Sequence, residues 1–262
     1  MLLALAESGI TPDLIVGTSV GAINAAWIAG QPGLDGVKAL ADVWRAVHRR
    51  DVFPLRPLVG LQGFLGRRDY LVPPEPLQRL IGEHLDYERL EDASIPIRVV
   101  ATDITTGLEV VLARGPALAA IMASAAIPAV FPPVTVDGQH LVDGGVADNT
   151  PVSYAVHSGA KTIYVLPTGY ACSLERPPRG ALAVALQAIT LLVHQRLRHD
   201  VEAYKDIADL RVAPPLCPLD VSPIDFSHTA ELIQRAHEST ARWLAEGRTQ
   251  ADPAEAMDLH DH

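Results

Sequence analysis

The sequence predicts an α/β fold with a mainly parallel central sheet. Three observations lead there. Short apolar runs recur along the 262 residues, at 13–17, 97–103, 162–166 and 210–213. Stretches with helical apolar spacing separate them. A glycine-bounded turn, Gly17-Thr18-Ser19-Val20-Gly21, joins the first run directly to a stretch of small, helix-favouring residues. Strands alternating with helices bury their apolar faces as helices packed on a sheet.

Taken in order, residues 2–8 read as a helix ending at Gly9, a residue that takes the left-handed conformation cheaply. Residues 13–17 read as a buried strand, and 22–29 as the helix behind the turn. Val37, Leu40, Val43, Trp44 and Val47 repeat with helical spacing over 36–48. Residues 49–76 mix prolines, glycines and arginines with Phe53, Leu55, Leu58, Leu61, Phe64 and Leu65, and read as a cap or loop. A helix over 75–84 follows. The runs 97–103 and 108–112 flank Thr105-Thr106-Gly107 as a hairpin. A small-residue helix spans 116–126. Asp137-Gly138 joins a second hairpin, 134–136 with 139–142, because that dipeptide suits the positive-φ turn between twisted strands. A helix over 151–158, a strand over 162–166, a loop over 170–180, a long helix over 181–206, a strand over 210–213 and a helix over 229–246 complete the chain.

The length fits one domain over 1–246, with a polar tail over 247–262. Hydrophobic residues make up 48% of the chain, which excludes a mostly disordered polypeptide. The net charge of −10 excludes a general nucleic-acid binder, which needs a basic face. Cys172 and Cys217 are the only cysteines, too few for a four-cysteine zinc site or a disulfide framework, and read as reduced thiols in a cytoplasmic protein. No basic residue precedes the first apolar stretch, unlike a signal peptide. The uncharged stretches 14–33 and 116–136 are broken by glycines and polar residues or by prolines, so neither reads as a membrane span.

Gly17-Thr18-Ser19-Val20-Gly21 fits Gly-x-Ser-x-Gly. A nucleophilic serine needs a sharp strand-to-helix turn that holds its Oγ clear of the backbone. Gly17 and Gly21 are expected there for want of space for a Cβ. The helix dipole points at the site, and the Val20 N–H is placed to stabilise an oxyanion. An ordinary strand–helix turn is the alternative reading. No phosphate-binding glycine pattern is present.

Such a serine needs a base. None of the ten histidines sits in a Gly-rich loop after a strand. His194, His199 and His237 fall on helices and read as solvated surface residues, and His140 falls inside a hairpin strand. Asp143 ends a strand and precedes Gly144-Gly145, which allow close backbone approach. Two readings stand side by side: a partly desolvated carboxylate that serves as base, or a turn cap. Asp103 and Asp148 read as turn-ordering residues. The arginines at 49, 50, 56, 67 and 68 interleave with apolar side chains. This region is either an interfacial patch that meets anionic lipid and admits an acyl chain, or a loop folded back on the core.

Several segments together resemble the patatin-like phospholipase family. They are residues 12–25 around the Gly-x-Ser-x-Gly turn, Ala-Thr-Asp-Ile-Thr-Thr-Gly at 101–107, Ala-Ser-Ala-Ala-Ile-Pro at 123–128 with Phe131-Pro132-Pro133, and Val142-Asp143-Gly144-Gly145 running on to Pro151. Residues 222–227 look like bacterial members. The resemblance implies a three-layer α/β/α fold and a Ser19–Asp143 dyad. It implies hydrolysis of lipid acyl esters through an acyl-enzyme, with no metal or other cofactor. The implied partners are a lipid or other acyl-ester substrate and a membrane surface met peripherally from the cytoplasm. In the family, a strand and a Gly-Gly-Gly-x-Arg/Lys-Gly loop precede the helix that leads to the elbow strand. Here Met1 falls inside that helix, so the first strand and the oxyanion loop are expected to be missing and hydrolysis impaired. The alternative is an inactive patatin-like domain that binds lipid or a protein partner.

Overall fold

The computed structural model describes residues 1–54, 56–168, 181–216, 221–222, 224–250 and 252–253. Leu55, Cys172, Cys217, the expected loop over 170–180 and most of the expected tail lie outside the described residues. In chain order the elements are α1 (Leu2–Glu7), β1 (Ile15–Thr18), α2 (Val20–Gly30), α3 (Leu34–Ala46), α4 (Arg49–Val52), α5 (Pro57–Phe64), α6 (Glu75–Glu83), β2 (Ile97–Asp103) and β3 (Glu109–Leu112). They continue as α7 (Ala117–Ser124), β4 (Val134–Val136), β5 (Gln139–Asp143), α8 (Val152–His157), β6 (Thr162–Val165), α9 (Ala181–Tyr204), β7 (Asp209–Val212) and α10 (Thr229–Ala245). The fold class is α/β, with a central sheet flanked by helices. Among the described residues no helix is long and apolar enough to cross a membrane.

The chain divides into two compact units where the sequence suggests one domain. Each has its own apolar cluster, which is the physical basis of the division. One comprises Gly9–Asn149 and Ser222–Ala230, the other Met1–Ser8, Thr150–Val221 and Glu231–His262.

In the first unit the five-stranded sheet is mixed rather than mainly parallel. β1 pairs parallel with β2, while β2–β3, β2–β5 and β4–β5 are antiparallel. The two hairpins cause this, since strands joined by tight turns must run in opposite directions. Asp137 and Gly138 have φ of 50° and 80°, the conformation that the second hairpin turn demands. β2 is the organising strand: Val99, Val100 and Ala101 have no solvent exposure. α2 and α7 pack on the sheet. Their facing residues are small (Ala22, Ala25, Ala26, Ala117, Ala120 and Ala123), and small side chains let helix and sheet backbones approach closely.

Residues 49–76 are more ordered than a loop. α4 is seated through buried Val52 and through Phe53, whose ring stacks on Phe131 at 5.8 Å. Phe53 therefore folds back on the core, whereas Leu58, Leu61, Phe64 and Leu65 stay exposed. Pro57 opens α5 at a position where the missing N–H costs nothing.

In the second unit β6 and β7 form a parallel pair, with α9 between them in the chain. Ile163, Val165, Leu210 and Val212 pack with Leu197 and Val201. His194 belongs to this buried side and is only 3% exposed, which corrects the expectation of a solvated residue. Positions 194, 197 and 201 share one helical stripe by spacing alone. His199 is exposed as expected, and the half-buried His237 places Nε2 2.6 Å from a Glu7 carboxylate oxygen.

Candidate active site

Ser19 and Asp143 lie 124 residues apart in sequence, and one edge of β2 brings them together. β3 pairs with Val99–Thr102 of β2 and occupies one edge there. β1 pairs with residues 97–100 and β5 with 101–103, so both must use the other edge, end to end. Thr18, the last residue of β1, is opposite Val100; Asp143, the last residue of β5, is opposite Ala101. The two strands run toward each other and stop at adjacent β2 residues. The residue after β1 is Ser19.

Ser19 has φ 55° and ψ −127°, a backbone conformation rare for a side-chain-bearing residue and costing about 1–3 kcal/mol. Contacts on both sides hold it. The Ser19 N–H donates to Ser124 Oγ at 2.9 Å, and the Ser124 hydroxyl donates to the Val100 carbonyl at 2.5 Å. On the helix side, Ala22 and Ile23 N–H donate to the Ser19 carbonyl. A Cβ on Gly17 would lie 2.5 Å from the Gly21 carbonyl oxygen and 2.8 Å from Ala22 backbone atoms, so only glycine lets α2 turn back at this point. Gly21 differs from expectation. A Cβ there meets nothing within 4 Å.

The Ser19 hydroxyl donates to Asp143 Oδ2 at 2.6 Å. The other carboxylate oxygen, Oδ1, accepts the Gly145 N–H at 2.8 Å, which fixes the carboxylate orientation. Gly144 is required by space, since a Cβ would fall 2.3 Å from the Val100 carbonyl oxygen and 2.8 Å from Thr18 Cγ2. A Cβ on Gly145 would crowd Asn149 and Asp143 side-chain oxygens at 2.9 and 3.1 Å. Thr102 Oγ1 donates to the Asp143 carbonyl at 3.0 Å, and Thr18 Oγ1 donates to the Asp148 carbonyl at 3.1 Å. These buried threonines tie the segment after β5 to the sheet.

Asp143 is 6% exposed. Burial pushes its pKa up to about 6, and the hydrogen bonds from Ser19 and Gly145 only partly offset this. Val20, the first residue of α2, is exposed; its N–H is one of the first-turn donors that a helix leaves unsatisfied. Val146 and Ile127 are also exposed, close in sequence to Gly145 and to Ala126, whose carbonyl accepts the Asp143 N–H. Asp103 Oδ1 accepts from Thr105 N–H and Oγ1 and from Thr106 N–H, the turn-ordering role read from the sequence.

The patatin-like phospholipase family profile matches residues 1–156. The chain belongs to the patatin-like phospholipase family. An uncharacterised NTE family protein of Mycobacterium tuberculosis is 32% identical over 151 residues, 57% of this chain and 39% of that protein. Patatin-like phospholipase domain-containing protein 7 of Rattus norvegicus is 28% identical over 178 residues, 64% of this chain and 12% of that protein. The match thus spans about two fifths of the mycobacterial relative and about an eighth of the rat one. VipD from Legionella pneumophila superimposes with a TM-score of 0.42 at 14% identity, covering 92% of this chain and 64% of that one. The patatin-like match ends just after the segment that carries Asp143.

Ser124 is the site residue that motif reasoning gave no role. Its signal is positional: a hydroxyl, itself fully buried, at the end of an otherwise apolar and mostly buried helix. Ser124→Ala strips the partner from both the Ser19 N–H and the Val100 carbonyl. The expected cost is about 1–3 kcal/mol of stability, measured by urea unfolding, because buried polar groups are left unpaired.

Proposed function

We propose that the chain is a serine lipid acyl hydrolase of the phospholipase or esterase type that works through a Ser19–Asp143 dyad. The observation that carries this reading is the 2.6 Å hydrogen bond from the Ser19 hydroxyl to the Asp143 carboxylate at the strained strand–helix turn. A serine hydroxyl is a weak nucleophile until a base takes its proton. A buried carboxylate with a pKa near 6 is ionised at neutral pH, yet basic enough to accept one. No imidazole is needed for that step.

In the first step Ser19 Oγ attacks the acyl carbonyl carbon while its proton passes to Asp143 Oδ2. Negative charge develops on the carbonyl oxygen, where the Val20 N–H and the N-terminus of α2 stabilise it. The intermediate collapses, the ester C–O bond breaks, and the leaving alkoxide takes the proton from Asp143. In the second step a water attacks the acyl-Ser19 ester, Asp143 takes the water's proton, and collapse returns that proton to Ser19 Oγ. The fatty acid leaves. The apolar side chains of Val20, Val146 and Ile127 suit an acyl chain better than a charged substrate. Residues 1–262 contain no Gly-Gly-Gly-x-Arg/Lys-Gly stretch. Each well-placed oxyanion donor contributes about 10²–10³ in rate.

Labelling by a fluorophosphonate tests the proposal. The probe is expected to label the purified protein, and Ser19→Ala to abolish the label. The labelling rate should climb as pH rises through about 6 and level off above it, because the base acts only when ionised. Labelling that survives Ser19→Ala, or no labelling at any pH, leaves the reading of an inactive lipid- or protein-binding domain.

A further inference from the structure

The exposed helix α5 carries a second feature in the same unit as the dyad. Leu58, Leu61, Phe64 and Leu65 are 76%, 55%, 84% and 56% exposed. At 100° per residue they fall within one stripe about 120° wide. The opposite face carries Gly63. A Cβ on Gly63 would lie 2.3 Å from the Tyr70 carbonyl oxygen, so the glycine face is seated tightly on the chain that returns from the helix. This seating turns the apolar stripe outward. Four large apolar side chains side by side on a surface mark an interaction site.

Charge indicates what the stripe meets. Arg56 precedes the helix, and Arg67 and Arg68 follow it, against the single acidic residue Asp69. All four are exposed. The chain as a whole carries −10, so this basic bracket stands against the general charge. Leucine and phenylalanine on one face with arginines at both ends is the pattern of a helix lying in the interface of an anionic bilayer. The returning chain also leads toward the dyad: Leu71 and Val72 N–H donate to the Ala129 and Val130 carbonyls, a few residues beyond the Ala126 carbonyl that accepts the Asp143 N–H.

We propose that α5 docks the protein on anionic lipid bilayers, with Leu58, Leu61, Phe64 and Leu65 entering the acyl boundary and Arg56, Arg67 and Arg68 meeting headgroup phosphates. This rests on the reading of the dyad as a lipid acyl hydrolase, since it supplies the surface from which such a site draws substrate. The test uses the Ser19→Ala protein, so that no lipid is consumed, and sedimentation with phosphatidylcholine vesicles with and without phosphatidylglycerol. Binding is expected to be stronger to the anionic vesicles and to weaken in high salt. Leu61→Asp with Phe64→Asp should lower it at least tenfold. Neutralising Arg56, Arg67 and Arg68 with glutamine should lower it by roughly fivefold per site. These side chains are exposed, and an unchanged thermal melt confirms that the variants are folded. The proposal is overturned if neither vesicle binds, if both bind equally, or if the Leu61/Phe64 variant binds as before. Vesicle binding without fluorophosphonate labelling of the Ser19 protein sinks the hydrolase reading and leaves the docking surface standing; labelling without vesicle binding does the reverse.

Discussion

Asp143→Asn is expected to remove activity and at the same time raise stability at neutral pH. The amide keeps the shape, its oxygen still accepts the Gly145 N–H, and its NH₂ still reaches Ser19 Oγ, but it takes no proton. Loss of the base should lower ester hydrolysis by about 10³. The stability effect follows from the pKa. Burial raises Asp143 from 3.8 to about 6, so the folded protein binds a proton more tightly than the unfolded chain does. Its contribution to stability is complete below about pH 4 and is lost as pH rises through about 6. The gap corresponds to about 3 kcal/mol, an upper figure for what ionising this residue costs the fold above that pH. The amide never ionises. Thermal melts at pH 8 should therefore show the variant more stable by about 1–3 kcal/mol, and melts at pH 4 should show little difference. A variant destabilised equally at both pH values would contradict the burial argument.

Alanine at Gly17 or Gly144 should do the opposite and lose fold and activity together. The atoms that would meet the new methyl at Gly17 are all backbone, and at Gly144 the closest is a carbonyl oxygen of the central strand. None can swing aside like a side chain. Each substitution should cost about 3 kcal/mol or more, read by urea unfolding. Because the displaced segments are the ones that end at Ser19 and Asp143, fluorophosphonate labelling should vanish as well. Gly21→Ala is the control within the same motif. It has open space and a helical backbone, so it should gain about 0.5–1 kcal/mol. If Gly21→Ala proves as damaging as Gly17→Ala, the steric account of the turn is wrong.

How legible this was in the sequence varied with how local each feature is. The elbow was readable because an apolar run, two glycines and a small-residue helix are contiguous, and the turn at Asp137-Gly138 was readable for the same reason. Asp143 was found as a strand end before two glycines, but residue types alone left base and cap level. What decided their proximity was strand register: β3 on one edge of β2 forces β1 and β5 to share the other. Register between strands tens of residues apart leaves no local trace. The mainly parallel reading fails for the same reason, since a hairpin turn does not show which other strands its arms pair with. α5 is hard to read because Gly60 and Gly63 look like breakers, whereas Gly63 is where the helix packs against the returning chain. His194 was a different failure, since its spacing with Leu197 and Val201 was visible and only its polarity argued against burial.

The end-to-end abutment of β1 and β5 on β2 also separates geometry from contour length. The gap between the Ser19 hydroxyl and the Asp143 carboxylate is measured out by adjacent rungs of a third strand, not by the connecting polypeptide. Insertions between α2 and β2, or in the turn regions before β5, can lengthen that polypeptide and leave the two side chains where they are. A single-residue slip of β5 along β2 would carry the carboxylate about 3.3 Å away and turn it to the other side of the sheet. Diversification within such an architecture is thus cheap in its excursions and forbidden in its rungs.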